Sequence, residues 1–301
     1  MNATASPRQT GNAMLNLPQH HDSLVGIDSD GCVFDSMRVK QCLHFHPLII
    51  TFWGLEAIEP QLRACAEFVN LNSKGRGTNR FAALIQTFDL LRAHPGVKDG
   101  DLTFPDLRAL QAYLDSGVPL GNPTLKQFLA QTPDAELQRV YDWSVAVNAD
   151  IAARMRPIPP FAAARRALEQ MAATSDTVVI SQTPVDTLNQ EWTHHGIRRY
   201  VGAIAGMEFG TKAAQIRAAS AGRYDPARIL MIGDAVGDQH AARANGASFY
   251  PIMPGAEEAA WERLAAEAYP RFLGNTYTGP YADALAAAFH AALPEQFEPR
   301  D

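Results

Sequence analysis

Cysteine is scarce, with only Cys32, Cys42 and Cys65 in 301 residues. They form no CxxC pair and have no histidines at zinc-finger spacing, so neither a disulfide framework nor a structural zinc site is expected, and a reducing cytoplasm is the expected compartment. A surplus of positive charge is also missing. Lys and Arg total 26 against 32 Asp and Glu, a formal net charge of -6, so no global field exists to hold nucleic acid, and any anion handled is expected to be small and gripped locally. No apolar run of about 18 residues occurs, and the N-terminal segment lacks the basic start and apolar stretch of a signal peptide, so a soluble protein is expected. Residues 1–21 carry little periodicity and are expected to form a flexible arm or loosely docked strap.

What is present is apolar sequence, 47% of the chain, enough for a core domain and an accessory one. Leu24 to Ile27, Asp176 to Ile180 and Ala227 to Gly233 are short apolar runs that end in polar residues, the form of buried strands. Val201 to Ala205 and Ser248 to Ile252 read as further strands. Helical patterns at Thr187 to His195, Thr211 to Ala221 and Asp238 to Ala244 alternate with them, which implies an α/β fold, a Rossmann-like parallel sheet sandwiched by helices. Residues 37–156 show helical spacing throughout (Phe81, Leu84, Ile85, Phe88, Leu91) and read as an all-helical insertion. It closes at Arg156-Pro-Ile-Pro-Pro160, where the prolines stop a helix and stiffen the re-entry. The expected division is thus an arm at 1–21, an α/β core at 22–36 and 157–301, and a helical domain at 37–156.

Ligands of open parallel sheets bind beyond the carboxyl ends of strands. Those ends carry Asp28 and Asp30, then Ser181-Gln-Thr183, then Asp234 and Asp238, with Lys212 at an intervening helix start. Carboxylates, a hydroxyl and an ammonium converging on one sheet edge suit a hard cation and a phosphoryl group. In this order the residues resemble the four motifs of the haloacid dehalogenase (HAD) superfamily: Ile27-Asp28-Ser-Asp30-Gly31, Val179-Ile-Ser181, Lys212, and Gly233-Asp234-Ala-Val-Gly-Asp238. The residue after Gly31 is often Thr in that family and here is Cys32, a position that is commonly structural.

The resemblance implies a Mg2+-dependent phosphatase acting on a small phosphorylated metabolite through an aspartyl-phosphate. Asp28 would be the nucleophile and Asp30 the general acid and base. Asp28, the Asp30 carbonyl, Asp234 and Asp238 would hold the metal. Ser181 would donate to a phosphoryl oxygen, Lys212 would cancel charge, and Gly31 would let backbone amides approach the substrate, with Gln182 also placed among the substrate-binding residues. The dehalogenase branch lacks the second aspartate of the first motif, so Asp30 argues for phosphorus chemistry. The insertion resembles the superfamily's helical C1 caps, which close over the site. Within it, Lys74, Arg76 and Arg80 around two glycines form a candidate anion clamp, with Thr78 or Asn79 capping the next helix. His44 and His46 near Trp53 read as core residues, since no acidic partner stands at ligand spacing, and Asp35 reads as a turn cap. A mutase resembling beta-phosphoglucomutase shares these motifs, and a non-catalytic protein binding a phosphorylated ligand or a partner is the reading from another class; intact Asp28 and Asp30 count against the latter.

Overall fold

The structure is a computed structural model that describes residues 15–98 and 103–298. Five strands, β1 (Leu24–Ile27), β2 (Asp176–Ile180), β3 (Ala203–Ala205), β4 (Ile229–Gly233) and β5 (Ser248–Pro251), form one sheet in the order β3-β2-β1-β4-β5. All four pairings are parallel. β1, β2, β3 and β4 are buried along their whole length, as continuous apolar runs in a parallel sheet require. The expected strands are all present, with Ala227 and Arg228 falling in the turn before β4 and Val201 and Gly202 before β3.

The chain winds outward from β1 through β2 to β3, then returns to place β4 on the other side of β1. That reversal opens a crevice at the carboxyl ends of β1 and β4, where doubly wound sheets receive ligands. Between β1 and β2 the chain is helical: α1 (Ser36–Lys40), a π-helical turn at Gln41–Phe45, α2 (His46–Trp53), α3 (Glu59–Leu71), α4 (Arg80–Ala93), α5 (Arg108–Asp115), α6 (Asn122–Gln131) and α7 (Ala135–Arg154). These helices bury a cluster of their own, centred on Phe81, Phe88, Tyr113 and Trp143. The two connections to the sheet run side by side, since Phe161 N donates to Val33 O at 2.9 Å and Phe34 bridges Pro160.

The sheet is covered by α8 (Ala162–Ala172), α9 (Val185–His194), α10 (Lys212–Ser220), α11 (Val236–Arg243), α12 (Glu257–Arg263), α13 (Tyr269–Leu273) and α14 (Pro280–Ala292). Separate apolar clusters fill its two faces. Of the segment expected as an arm or docked strap, residues 15–21 lie against the core: Leu17 is buried on the sheet face, and the amides of His20 and His21 donate to the Asp176 carboxylate at 3.0–3.1 Å. Residues 1–14 of the expected arm lie outside the described residues. Past α14 the chain leaves the sheet and meets the helical segment, where the Phe297 ring packs at a tilt against Phe68, centroids 5.2 Å apart, and Glu295 pairs with Lys74.

Candidate active site

The turn after β1 delivers Asp28 and Asp30 and is held from both sides by indoles. Trp192 of α9 donates to Ser29 Oγ at 3.0 Å, and Trp261 of α12 donates to the Cys32 carbonyl at 2.8 Å. Both tryptophans are fully buried, so each spends its one polar group on fixing this turn. Gly31 sits at φ +80°, and a Cβ there would fall 2.4 Å from Asp234 Oδ2 and 2.7 Å from Arg76 Nη2. Only glycine permits that close packing. Its own amide donates to Phe34 O at 2.8 Å.

Asp28 lies 4% exposed at the switch point, with Oδ1 accepting from Ser29 N at 2.8 Å and Oδ2 paired with Lys212 Nζ at 2.8 Å. Lys212 also reaches Asp238 Oδ1 at 2.6 Å. It opens α10, whose N-cap Thr211 accepts from Ala214 N. Asp238, in the first turn of α11, accepts from Ala235 N at 3.1 Å. A Cβ on Gly233 would strike the Asp238 carboxylate at 2.3–2.5 Å, so the glycine before Asp234 makes room for that carboxylate. Asp28, Asp234 and Asp238 together present carboxylate oxygens within 4.8 Å of one another, all buried.

The electrostatics follow from this crowding. Burial, with Asp238 and Asp234 adding to it, raises the Asp28 carboxyl well above its ordinary range against the pull of Lys212. Burial alone would push the Lys212 ammonium down, but Asp238 and Asp28 outweigh it and hold the lysine charged. Asp30 is the exception: burial opposes it, yet Lys40 first, then Ser36 and Thr183, lower its pKa. Lys40 Nζ touches both Asp30 oxygens at 2.7 and 2.8 Å, Thr183 Oγ1 donates at 2.8 Å, and Ser36 Oγ donates as well.

Asp28, Asp30, Lys40, Thr183 and Lys212 line a cavity of about 780 Å3 between the sheet edge and the helical insertion, together with Ser181, Gln182, Phe45 and Arg76. Ser181 is buried with its hydroxyl accepting from Thr183 N at 3.2 Å. Its carbonyl, with those of Gly206 and Gly210, accepts from the buried Gln215 side chain, which ties the β2 and β3 ends to α10. Gln182 is exposed and donates to Gly210 O at 3.0 Å.

The three cations of the expected clamp part company. Arg76 enters the cavity and is buried, with Nε and Nη2 both 2.6 Å from Asp234 Oδ2 and Nη1 on Leu71 O at 2.9 Å. Lys74 stands at the cavity rim and pairs with Glu295. Arg80 is turned away, which corrects that expectation: its guanidinium donates to Ser144 and Asn148 of α7 and lies 4.9 Å over the Phe45 ring. Burial lowers its pKa to about 10. Asn79 rather than Thr78 caps α4, accepting from Phe81 N at 3.0 Å. Asp35 makes no side-chain cap bond and approaches Arg38 at 3.9 Å.

Lys40, Thr183 and Gln215 were missed as site residues by sequence reasoning. Thr183 had a local signal, standing two residues beyond Ser181 at the same strand end. Lys40 had none, because its role depends on the angle at which α1 leaves the turn.

No protein-family model matches the chain, and no curated protein matches it. Among solved structures, it is similar to a haloacid dehalogenase-like family hydrolase from Streptococcus pneumoniae, at 15% identity and a TM-score of 0.42, covering 80% of this chain and 90% of that one. It is also similar to a predicted phosphoglycolate phosphatase from Haemophilus somnus, at 13% identity and a TM-score of 0.45, covering 77% and 85%. An L-2-haloacid dehalogenase from Xanthobacter autotrophicus is similar at 15% identity and a TM-score of 0.38, covering 88% and 87%.

Proposed function

We propose that the chain is a magnesium-dependent phosphatase of the HAD type, which hydrolyses a small phosphorylated metabolite through a phosphoryl group carried on Asp28. The observation that carries this reading is the Asp28 carboxylate at the switch point, paired with Lys212 and flanked by Asp234 and Asp238. The donor set suits a hard divalent cation. Three carboxylates face two cations, Lys212 and Arg76, and Asp234 Oδ1 is buried with no hydrogen-bond partner among the described residues, so the cluster has both a charge deficit and a free ligand atom. Asp28, Asp234 and Asp238, with the Asp30 carbonyl that the family resemblance adds, would hold the ion. A bound magnesium would neutralise the phosphoryl oxygens and orient the ester.

The protein's own groups supply the rest. Asp28 Oδ2 is the nucleophile, paired with Lys212, which pulls against the rise that burial and the neighbouring carboxylates impose on its carboxyl, and it is delivered in line by the turn after β1. Lys212 and Ser181 receive the equatorial oxygens. Asp30, held ionised by Lys40, Ser36 and Thr183, is poised to take a proton from water. To protonate the leaving alcohol it must first gain a proton, and the Lys40 ammonium on both its oxygens is the group in place to pass one on. The helical insertion acts as a cap, and Arg76 brings its positive charge to the place where the phosphate enters.

The test is a screen for phosphate release from phosphorylated metabolites, with and without magnesium, comparing wild type with Asp28→Asn. Magnesium-dependent release that the substitution abolishes supports the reading. Release that survives it removes Asp28 from the chemistry.

A further inference from the structure

Apart from the carboxylates, a second set of potential metal ligands comes together in the helical insertion: Cys42, His46 and Glu67. Cys42 belongs to the π-helical turn, His46 opens α2 four residues later, and Glu67 projects from α3. One ligand atom from each lies within 4.8 Å of the others, and Cys42 Sγ approaches Glu67 Oε1 at 3.9 Å. Isolated π-helical turns recur at functional sites, because they place residues of an otherwise α-helical stretch on a face they would not share.

The side chain that demands an explanation is His46. It is 0% exposed, and among the described residues neither Nδ1 nor Nε2 has a hydrogen-bond partner. A neutral imidazole carries one donor and one acceptor, and burying both unpaired is a penalty that native structures rarely accept. An imidazole nitrogen left without a partner offers its lone pair, the form in which histidine binds metal. Arg63 does not compete for Glu67, since its guanidinium donates to Cys42 O at 3.2 Å and to Glu59 at 2.6 Å. Cys42 and Glu67 are half-buried, which leaves a solvent path for an ion and room for a water as a further ligand.

We infer that Cys42, His46 and Glu67 form a transition-metal site of the zinc class, separate from the phosphate chemistry. Sulfur, imidazole nitrogen and one carboxylate are the donor types that zinc takes and magnesium avoids. Tetrahedral zinc, with bonds of about 2.0–2.3 Å, sets its ligand atoms about 3.3–3.6 Å apart, so closure needs shifts of about 1 Å, within side-chain reach. On binding, Cys42 releases its thiol proton to solvent and its thiolate becomes the ligand. The ion then clips the π-helical turn to α3. The first of these segments continues from Lys40, and the second leads into the loop that carries Arg76, so the clip braces the side of the insertion that faces the cavity.

The experiment uses the full chain, stripped with a chelator, kept in millimolar-range magnesium to load the carboxylate cluster, and titrated with Co2+ as the probe. A thiolate-to-cobalt charge-transfer band is expected, saturating at one ion per chain and displaced by equimolar Zn2+. An oxygen-only cluster cannot give that band. Cys42→Ser should abolish it, Cys65→Ser should leave it, and Glu67→Gln should weaken cobalt affinity by about 10–100-fold or more, the loss that even outer partners of a ligand cause. Circular dichroism confirms that each variant is folded, and Glu67→Gln, altered at a half-buried position, carries the test if Cys42→Ser is not. No band in wild type, a band that persists in folded Cys42→Ser, or unchanged affinity in Glu67→Gln overturns the assignment.

Discussion

Replacing Arg76 by alanine should make the protein less stable without metal and a tighter binder of magnesium with it. Arg76 Nε and Nη2 each lie 2.6 Å from Asp234 Oδ2, and the two side chains are 5% and 0% exposed. Removing one partner of so buried a pair costs about 3–5 kcal/mol, because the remaining charge has no water to turn to. For a chain of this size that is a fall of roughly 10 °C in melting temperature. The same carboxylate is a proposed magnesium ligand, so in wild type the ion and the guanidinium compete for the charge of one carboxylate, the arginine on Oδ2 and the ion at Oδ1. At 1.4 kcal/mol per tenfold, that competition can weaken magnesium binding by about 100–1,000-fold. New contacts made by the displaced arginine recover part of this, so a tightening of at least about tenfold is expected in Arg76→Ala. Isothermal titration with Mg2+ measures the affinity, and melting curves across a magnesium series show whether the ion restores the variant's lost stability. A variant that binds magnesium no more tightly than wild type, or that magnesium fails to rescue, would refute the competition.

Two other outcomes follow from particular contacts. Burial, with Asp30 adding to it, raises Glu191 from 4.5 to about 7 against the pull of Lys40. The folded chain thus holds an extra proton between those values, and stability falls as pH rises through them, by on the order of 1–3 kcal/mol. Glu191→Gln should match wild type in denaturant unfolding near about pH 5 and exceed it near about pH 8; equal loss in both proteins would show that another group is responsible. Arg80→Ala removes bonds to Ser144 and Asn148 and the contact with Phe45, which should lower stability by about 2–4 kcal/mol and the melting temperature by about 5–10 °C. The Michaelis constant for substrate should stay put, and a raised one with unchanged stability would return Arg80 to the binding site.

The strands and the residues at their ends were legible because both signals are local. A strand buried on two faces must be an apolar run, and the polar residue that follows must emerge at the sheet edge, so Asp28, Ser181 and Asp234 could be placed from β1, β2 and β4 alone. Side-chain partnerships across the chain were not legible. Arg76 and Arg80 stand four residues apart in one basic loop, yet one meets Asp234 and the other α7. The difference lies in which way each faces once α4 begins. His44 was read as lacking an acidic partner; the structure supplies Asp150, 106 residues away, at 2.7 Å. Lys40 on Asp30 likewise depends on the direction of α1. The helices at residues 257–273 went unassigned, since alanine, glutamate and aromatics there mark no clean apolar stripe.

The claim on which the account turns is that phosphorus passes through Asp28. The direct measurement is to quench the protein in acid during turnover with a substrate found in the magnesium screen, reduce with borohydride, which converts an acyl phosphate to the alcohol, and locate the modified residue by mass spectrometry. The account predicts modification at residue 28, requiring magnesium and absent from Asp28→Asn. Steady phosphate release with no reduced residue at 28, or with reduction at another carboxylate, would contradict it.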